Sequence, residues 1–377
     1  LMVAKVTPKD VNLSDQVTPA TRYGVLRMAN VSVTAGLPTF GVSGTLSLSK
    51  LDFNSVDGDF ARLDWQHAFD LDGDGQFSGQ SVDQVFGSSA LPIDLTSDLY
   101  YSVVGAVTNL EFQAGAITLT GKADFTLDRR TLDVQTPNGL LIGAQLDSLS
   151  VSNFAGTLKV ADESNKMNIS LEISSGSLAV AKVTPEDVDG PGGTVPTVRY
   201  TALKMGDVSV SMQAGTPNLG FTGNVTIGRI DLNTASVGFT RLDWSRAFSQ
   251  PLNPGARLPV AQDLTIDFDH SLQLRVQGQV TGNSGYEYDH DFNDATDKIQ
   301  ISNVFLTVGE AVYLAGNAEF VLLQRTLDVD TTGNGKSDLV SAEVMSLGLR
   351  VVDAGVHVKD MAQLTVSGQL SLATVKA

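Results

Sequence analysis

The chain contains an internal duplication, and this feature constrains the fold more than any other property of the sequence. Several short segments recur in the same order in both halves. The clearest matches are VAKVTP at 3–8 and 180–185, RLDW at 62–65 and 241–244, and RTLDV at 130–134 and 325–329. The spacing between copies starts at 177 residues and settles at 192, so loop insertions separate them. Repeats of this length indicate two homologous structural units.

The junction between the units indicates how they connect. We predict units at residues 1–181 and 182–377, because the segment SGSLAVA at 175–181 is strand-like and no flexible linker separates the copies. A similar segment, SGQLSLA, lies at 367–373, and Leu1 corresponds to Leu178. These ends lead us to expect a two-unit section of a longer tandem array, the alternative being a single duplication. The first residues lack the basic and apolar regions of a signal peptide.

Period-two alternation of apolar and polar residues predicts the fold class. Val42–Phe53, 117–125 and 208–212 alternate in this way, which places one face of each strand on a core. The phase slips once at Lys50, where we predict a bulge. Only 61–69 and its copy 240–248 suggest a helical turn. We therefore predict an all-β, rod-like chain of long amphipathic strands, arranged as an antiparallel sandwich or a solenoid.

Composition excludes several functions. The net charge of −17 disfavours binding to nucleic acid or to anionic membranes, and the chain has no cysteine and only four scattered histidines. No catalytic motif is present, so we predict that the protein is not an enzyme. Of the 42 acidic residues, 34 are Asp, a residue that favours turns and metal-binding loops over helices.

One acidic loop has the spacing of a calcium site. Carboxylates at positions 1, 3 and 5, Gly at position 6 and oxygens at positions 7 and 9 converge on one cation, and the loop resembles those of EF-hand and dockerin proteins. The glutamate expected at position 12 is replaced by serine, and an aspartate two residues later is the candidate substitute. The predicted Ca²⁺ ligands are Asp70, Asp72, Asp74, Gln76, Ser78 and Asp83.

Two further loops in the second unit carry weaker versions of this pattern. The first has Gly at position 6 and an acidic residue two places after position 12. The second has Asp at position 6 and lies in an insertion that unit one lacks. The candidate ligands are Asp330, Thr332, Asn334, Lys336, Asp338 and Glu343 in the first, and Asp289, Asp291, Asn293 and Asp297 in the second. A plain acidic turn is the alternative for all three loops.

The two tryptophans, Trp65 and Trp244, occupy equivalent positions in the repeat. We expect core anchors, since a large aromatic side chain at the same place in both units usually supports packing. Stacking against a sugar is the alternative. We also expect ion pairs at strand edges between Arg130 and Asp133 and between their counterparts, Arg325 and Asp328.

Tandem β units, an Asp-rich and Cys-free composition and calcium-type loops together resemble the repeat regions of giant secreted bacterial surface proteins, including RTX-type and type I-secreted adhesins. The resemblance implies an extracellular structural or adhesive module, a stiff calcium-stabilised spacer or filament segment at the cell surface. Its partners would be neighbouring repeat units of the same or identical chains, and cell-surface glycans. The alternative is a carbohydrate-binding or carbohydrate-active β protein. Polar alternate positions and short apolar runs disfavour an AsmA-like lipid-transfer sheet.

Overall fold

The structure, a computed structural model, confirms the all-β prediction. It describes residues 1–7, 22–37, 42–58, 60–70, 75, 86–88, 91–114, 117–162, 167–186, 197–216, 219–282, 284–289, 298–309, 312–358 and 362–376. About three quarters of the described residues lie in strands. The described residues contain no α-helix and one short 3₁₀ turn, Pro254–Arg257. The segments at 61–69 and 240–248 form turns rather than the expected helical turn.

Seventeen strands occur among the described residues. They are β1 (Met2–Val6), β2 (Tyr23–Leu37), β3 (Val42–Val56), β4 (Phe86–Ser88), β5 (Leu91–Ile93), β6 (Leu99–Ala114), β7 (Ile117–Thr136), β8 (Gly139–Asp162), β9 (Met167–Thr184), β10 (Tyr200–Thr216), β11 (Leu219–Ala235), β12 (Leu272–Thr281), β13 (Ser284–Asp289), β14 (Lys298–Val308), β15 (Val312–Val329), β16 (Leu339–Val358) and β17 (Ala362–Lys376).

Fifteen of these strands form one open antiparallel sheet. Its main path runs β1-β2-β3-β6-β7-β8-β9-β10-β11-β12-β15-β14-β13, and β16 continues from β15 to β17. Strands β4 and β5 pair only with each other. No second large sheet occurs among the described strands, so the two packed sheets of the predicted sandwich are not formed there. Most neighbours in the sheet are also neighbours in sequence, as expected for hairpin connections.

The sheet continues through the repeat junction without interruption. Strand β9 pairs with β8 on one side and with β10 on the other, so that Val180 lies opposite both Leu149 and Leu203. The predicted boundary at residue 181 therefore falls inside a strand that is hydrogen-bonded to both halves of the chain.

Bulges interrupt the strands near their centres. The register between β3 and β6 shifts between Leu48 and Lys50, which confirms the bulge predicted there. Asn30, Asn153 and Asp207 have positive φ, a conformation that Asn and Asp tolerate better than most residues. Because a bulge adds one residue, it restores the apolar residues to the same face after the alternation has slipped.

Two long excursions cover one face of the sheet. The segment between β3 and β6 packs Trp65, Ile93 and Leu95 against the first strands, and the segment between β11 and β12 packs Trp244 and Ile266 against the strands around the junction. We call this covered side the inner face. Its core lies between one sheet layer and these two segments.

Each excursion is attached to the sheet by the same tryptophan–asparagine contact. Trp65 Nε1 donates to Asn54 Oδ1 at 3.0 Å, and Trp244 Nε1 donates to Asn233 Oδ1 at the same distance. Each asparagine Nδ2 donates in turn to a carbonyl of the excursion, that of Leu63 or Leu242, at 2.9 Å. Both indoles are at most 1% exposed, which confirms that they are core anchors and removes them as sugar-stacking platforms.

The expected ion pairs within the RTLDV segments are wrong. Arg130 pairs with Asp98, which lies in the loop before β6. Asp133 instead accepts a hydrogen bond from the backbone N–H of Gly143 at 2.9 Å. The second half of the chain repeats this arrangement, with Arg325 beside Asp269 and with Asp328 accepting a hydrogen bond from the N–H of Ser341.

Replacing Asn233 with Ala should destabilise the protein strongly. The change leaves the buried indole N–H of Trp244 without its acceptor and removes the amide donor from the carbonyls of Leu242 and Asp269. Each buried group left unsatisfied costs about 1–3 kcal/mol. We expect a loss of about 3–5 kcal/mol in the free energy of unfolding, measured by denaturant titration. Asn54→Ala is the matched variant in the first half of the chain. A loss below about 1 kcal/mol in both variants would contradict the anchoring role.

Candidate calcium-binding loops

The Asp330 loop is the predicted site that the structure describes completely. It joins β15 to β16 at the end of a long hairpin, and all residues from 330 to 338 are exposed. The backbone N–H of Asp338 donates to the carbonyl of Val329 at 2.9 Å and closes the loop at its base. Gly333 and Gly335 have φ values of 72° and 78°, which glycine adopts without steric cost.

The carboxylate of Asp330 organises this loop. Its two oxygens accept four backbone hydrogen bonds from the residues that follow. The donors are the N–H groups of Thr332 (3.0 Å), Gly333 (2.7 Å), Asn334 (3.3 Å) and Gly335 (2.6 Å). In the calcium-loop pattern, Asp330 is position 1 and Gly335 is position 6. The aspartate at position 1 therefore accepts a hydrogen bond from the N–H of the glycine at position 6.

A second carboxylate closes the other side of the loop. Asp338 Oδ2 accepts from the backbone N–H and the hydroxyl of Thr331, both at 2.8 Å, and from the N–H of Thr332 at 3.1 Å. Asn334 Oδ1 accepts from the N–H of Lys336 at 2.8 Å. The oxygens of Asp330, Asn334 and Asp338 therefore lie within one compact turn, each already holding a backbone donor.

These hydrogen bonds stabilise the ionised carboxylates. Hydrogen bonds from the N–H of Gly335, and then from other loop N–H groups, hold the pKa of Asp330 below its ordinary value. Those from the hydroxyl and N–H of Thr331 lower the pKa of Asp338 in the same way. Both side chains remain charged under neutral conditions and available to a cation.

The proposed position-12 substitute lies outside this turn. Glu343 is in β16, opposite Thr326 on one side and Lys376 on the other, with its carboxylate 4.0 Å from Lys376 Nζ. In the described part of the chain, no three His, Asp or Glu side chains come together in a way that could hold a metal ion. The Asp330 loop thus offers two carboxylates, supplemented by amide, hydroxyl and backbone oxygens.

The Asp70 loop is described only at two of its positions. The N–H of Gly75 donates to Asp70 Oδ2 at 2.9 Å, and Gly75 has a φ of 81°. This is the same position-1 to position-6 bond as in the Asp330 loop. The other predicted ligands, Asp72, Asp74, Gln76, Ser78 and Asp83, lie outside the described residues.

The third predicted loop also lies mostly outside the described residues. Asp289 ends strand β13, where its backbone pairs with Lys298. The remaining candidates, Asp291, Asn293 and Asp297, are not among the residues that the structure describes.

Sequence reasoning missed a buried charge cluster that occurs in both halves of the chain. Arg27 Nε lies 2.7 Å from Asp52 Oδ1, and Lys50 Nζ lies 2.9 Å from the other oxygen of that carboxylate. The counterpart of Asp52 is Asp231, which pairs with Arg229 at 2.5 Å. Both aspartates are fully buried. The recurrence of a strand aspartate at equivalent positions was the signal that could have identified them.

A cleft of about 1060 Å³ lies beside the first excursion. Two of the charged side chains that line it form an ion pair with each other. Arg129 Nε lies 2.6 Å from Asp147 Oδ1, while Gln145 Nε2 donates to the other oxygen at 2.8 Å. Burial raises the pKa of Asp98, but hydrogen bonds from Thr96 and Arg130 and the Arg130 charge outweigh it, so its pKa lies below the ordinary value.

Comparison with known proteins gives no family for this chain. No protein-family model, no curated protein and no solved structure matches it. Among the described residues, no helix is long and apolar enough to cross a membrane.

The loop carboxylates should titrate below the ordinary aspartate pKa of about 3.9. Because folding lowers the pKa of Asp330 and Asp338, their contribution to stability is present above the ordinary value and is lost as the pH falls through the lowered values. We expect NMR titration to show Asp330 changing protonation at a pH below this ordinary value. A midpoint at or above the ordinary value would contradict the hydrogen-bonded loop.

Proposed function

We propose that this chain is an extracellular structural or adhesive repeat module, a stiff calcium-stabilised spacer or filament segment of a cell-surface protein. The observation that carries the proposal is the pairing of β9 with both β8 and β10. A connection of this kind transmits force through backbone hydrogen bonds rather than through a linker.

The repeated strand register supports the same proposal. Val3 pairs with Leu26 in the register in which Val180 pairs with Leu203. At the other end, Glu343 lies opposite Lys376 as Gln145 lies opposite Thr184. Equivalent strands in the two copies therefore pair in the same register. This is the pairing expected in an array in which each unit adds its strands to the sheet edge of the neighbouring unit. Neighbouring units of the same or identical chains are the proposed partners.

Calcium is the proposed stabilising ion. The Asp70 and Asp330 loops share the position-1 to position-6 hydrogen bond, so each holds its first carboxylate in place before a cation binds. Extracellular calcium modules bind at about 10⁻⁴–10⁻³ M, which is suited to an environment rich in the ion. Binding there would stiffen the ends of the hairpins outside the cell. Cell-surface glycans are the proposed adhesive target.

Both units should unfold together. Trp65 reports on the first core and Trp244 on the second, so the variants Trp65→Phe and Trp244→Phe each leave one reporter. Because β9 belongs to both halves, we expect the remaining tryptophan in each variant to melt with the main calorimetric transition of that variant, within about 2 °C. Two well-separated transitions in wild-type calorimetry would show independent domains and contradict the stiff junction.

Millimolar calcium should stabilise the chain modestly. At the affinities typical of extracellular modules, one site contributes about 0.4–1.4 kcal/mol, or about one to a few degrees in Tm. Asp330→Ala should remove the increment of its loop, and Asp72→Ala combined with Asp74→Ala that of the first loop. Asp353→Ala, outside every loop, is the control. If calcium raises Tm equally in all variants, or not at all relative to chelator, the loops are acidic turns.

A further inference from the structure

The side of the sheet opposite the tryptophan cores, which we call the outer face, carries an unbroken apolar row across nine strands. Each member lies directly opposite the next in the strand register. The row consists of Met28, Leu51, Val103, Leu127, Leu149, Val180, Leu203, Leu232 and Leu274. It contains no polar side chain.

A second apolar row runs beside the first and crosses twelve strands. It consists of Val31, Leu48, Gly105, Phe125, Val151, Leu178, Met205, Ile230, Val276, Leu322, Leu347 and Leu372. In β2 and β3, the two rows are three positions apart along the strand instead of two. The extra position comes from the bulges at Asn30 and Lys50, which lie between the rows. A third row begins with Leu46, Val107 and Ala123.

The two faces of the same strands differ in burial. On the inner face, Asp52, Ala181 and Asn233 are 0% exposed beneath the excursions. Gly105 is buried, Leu372 is exposed, and every other side chain of the two outer rows is partly exposed. Within the described part of the chain, no strand and no turn packs across the outer face as the excursions pack across the inner face. The apolar rows therefore lack a covering layer.

The area of this face matches that of a protein interface. One residue on one face of a sheet covers about 4.8 Å by about 6.7 Å, so the two rows occupy roughly 650 Å² of the sheet plane. Monomeric proteins rarely expose apolar patches larger than about 300–600 Å². A standard protein interface buries about 800 Å² per partner. The third row increases the apolar area of the outer face toward this value.

We propose that the outer face is an interface at which two copies of this chain pack face to face. Both rows run across the strands, so a twofold axis that lies midway between the two sheets and parallel to the rows places the rows of one copy on those of the other. Two sheets in this arrangement pack about 10 Å apart and form a sandwich. The proposal does not rest on the proposed function, since it uses the face of the sheet and not its junctions or calcium loops.

Charge substitutions on the outer face test the proposal. The variant Leu149→Glu with Leu203→Glu places two carboxylates in the centre of the first row. We expect sedimentation equilibrium to show a dimer for the wild-type chain and at least tenfold weaker dimerisation for this variant. The matched control is Val237→Glu with Val260→Glu, the same change at positions in the second excursion that are 101% and 58% exposed. It should dimerise like wild type.

A milder measurement remains informative if the double glutamate variant unfolds. Because the chain has no cysteine, Leu149→Cys introduces a single thiol on the outer face. Its alkylation rate should fall at least tenfold as the protein concentration rises through the dimerisation range. The thiol of Val237→Cys should react at a rate independent of concentration.

Three outcomes would overturn the proposal. The first is a wild-type chain that remains monomeric at the highest soluble concentration. The second is dimerisation that the outer-face variant does not weaken, or that the control weakens equally. The third is a monomer that binds decanoate, with binding lost in the outer-face variant only, which would assign the face to acyl chains.

Discussion

A sheet of one layer has no second sheet to cover either of its faces, and this constraint governs the rest of the structure. The chain meets it on the inner face by sending two long segments back over the strands. Each segment is fixed by a buried tryptophan whose N–H reaches an asparagine on the sheet. Since the asparagine also donates to the segment, one side chain connects the two layers in both directions.

The inner face is also unusual in burying charge. Asp52 and Asp231 are fully buried, but each is held by two cationic side chains, Arg27 and Lys50 in the first case, Arg229 and Arg275 in the second. Removing one partner from such a cluster leaves a buried charge uncompensated, which is far more costly than the cluster is stabilising. The ion pairs also join neighbouring strands, since Arg27 lies opposite Asp52 and Arg275 lies opposite Asp231.

The bulges link the sequence pattern to the outer face. Along the sequence, the alternation of apolar and polar residues breaks at each bulge. Each apolar run therefore looks short in the sequence. In the sheet, the bulge at Lys50 returns Leu48 and Leu51 to the same side, so the runs join into rows across many strands. The polar residues that alternate with these apolar residues along the strands lie on the inner face.

Some features of this protein could be predicted from the sequence because they depend on local chemistry. Period-two alternation predicts the strands, and the slip in this alternation at Lys50 predicts the bulge. The spacing of aspartate and glycine in the Asp330 loop is that of a turn in which the first aspartate accepts a hydrogen bond from the N–H of the glycine at position 6. Other features depend on which strands become neighbours. The partner of Arg130 is Asp98 because two strands and a loop converge, although Asp133 is nearer in sequence. The formation of one open sheet instead of a sandwich also depends on tertiary contacts. Alternation shows that a strand has an apolar face, but it does not show which part of the protein covers that face.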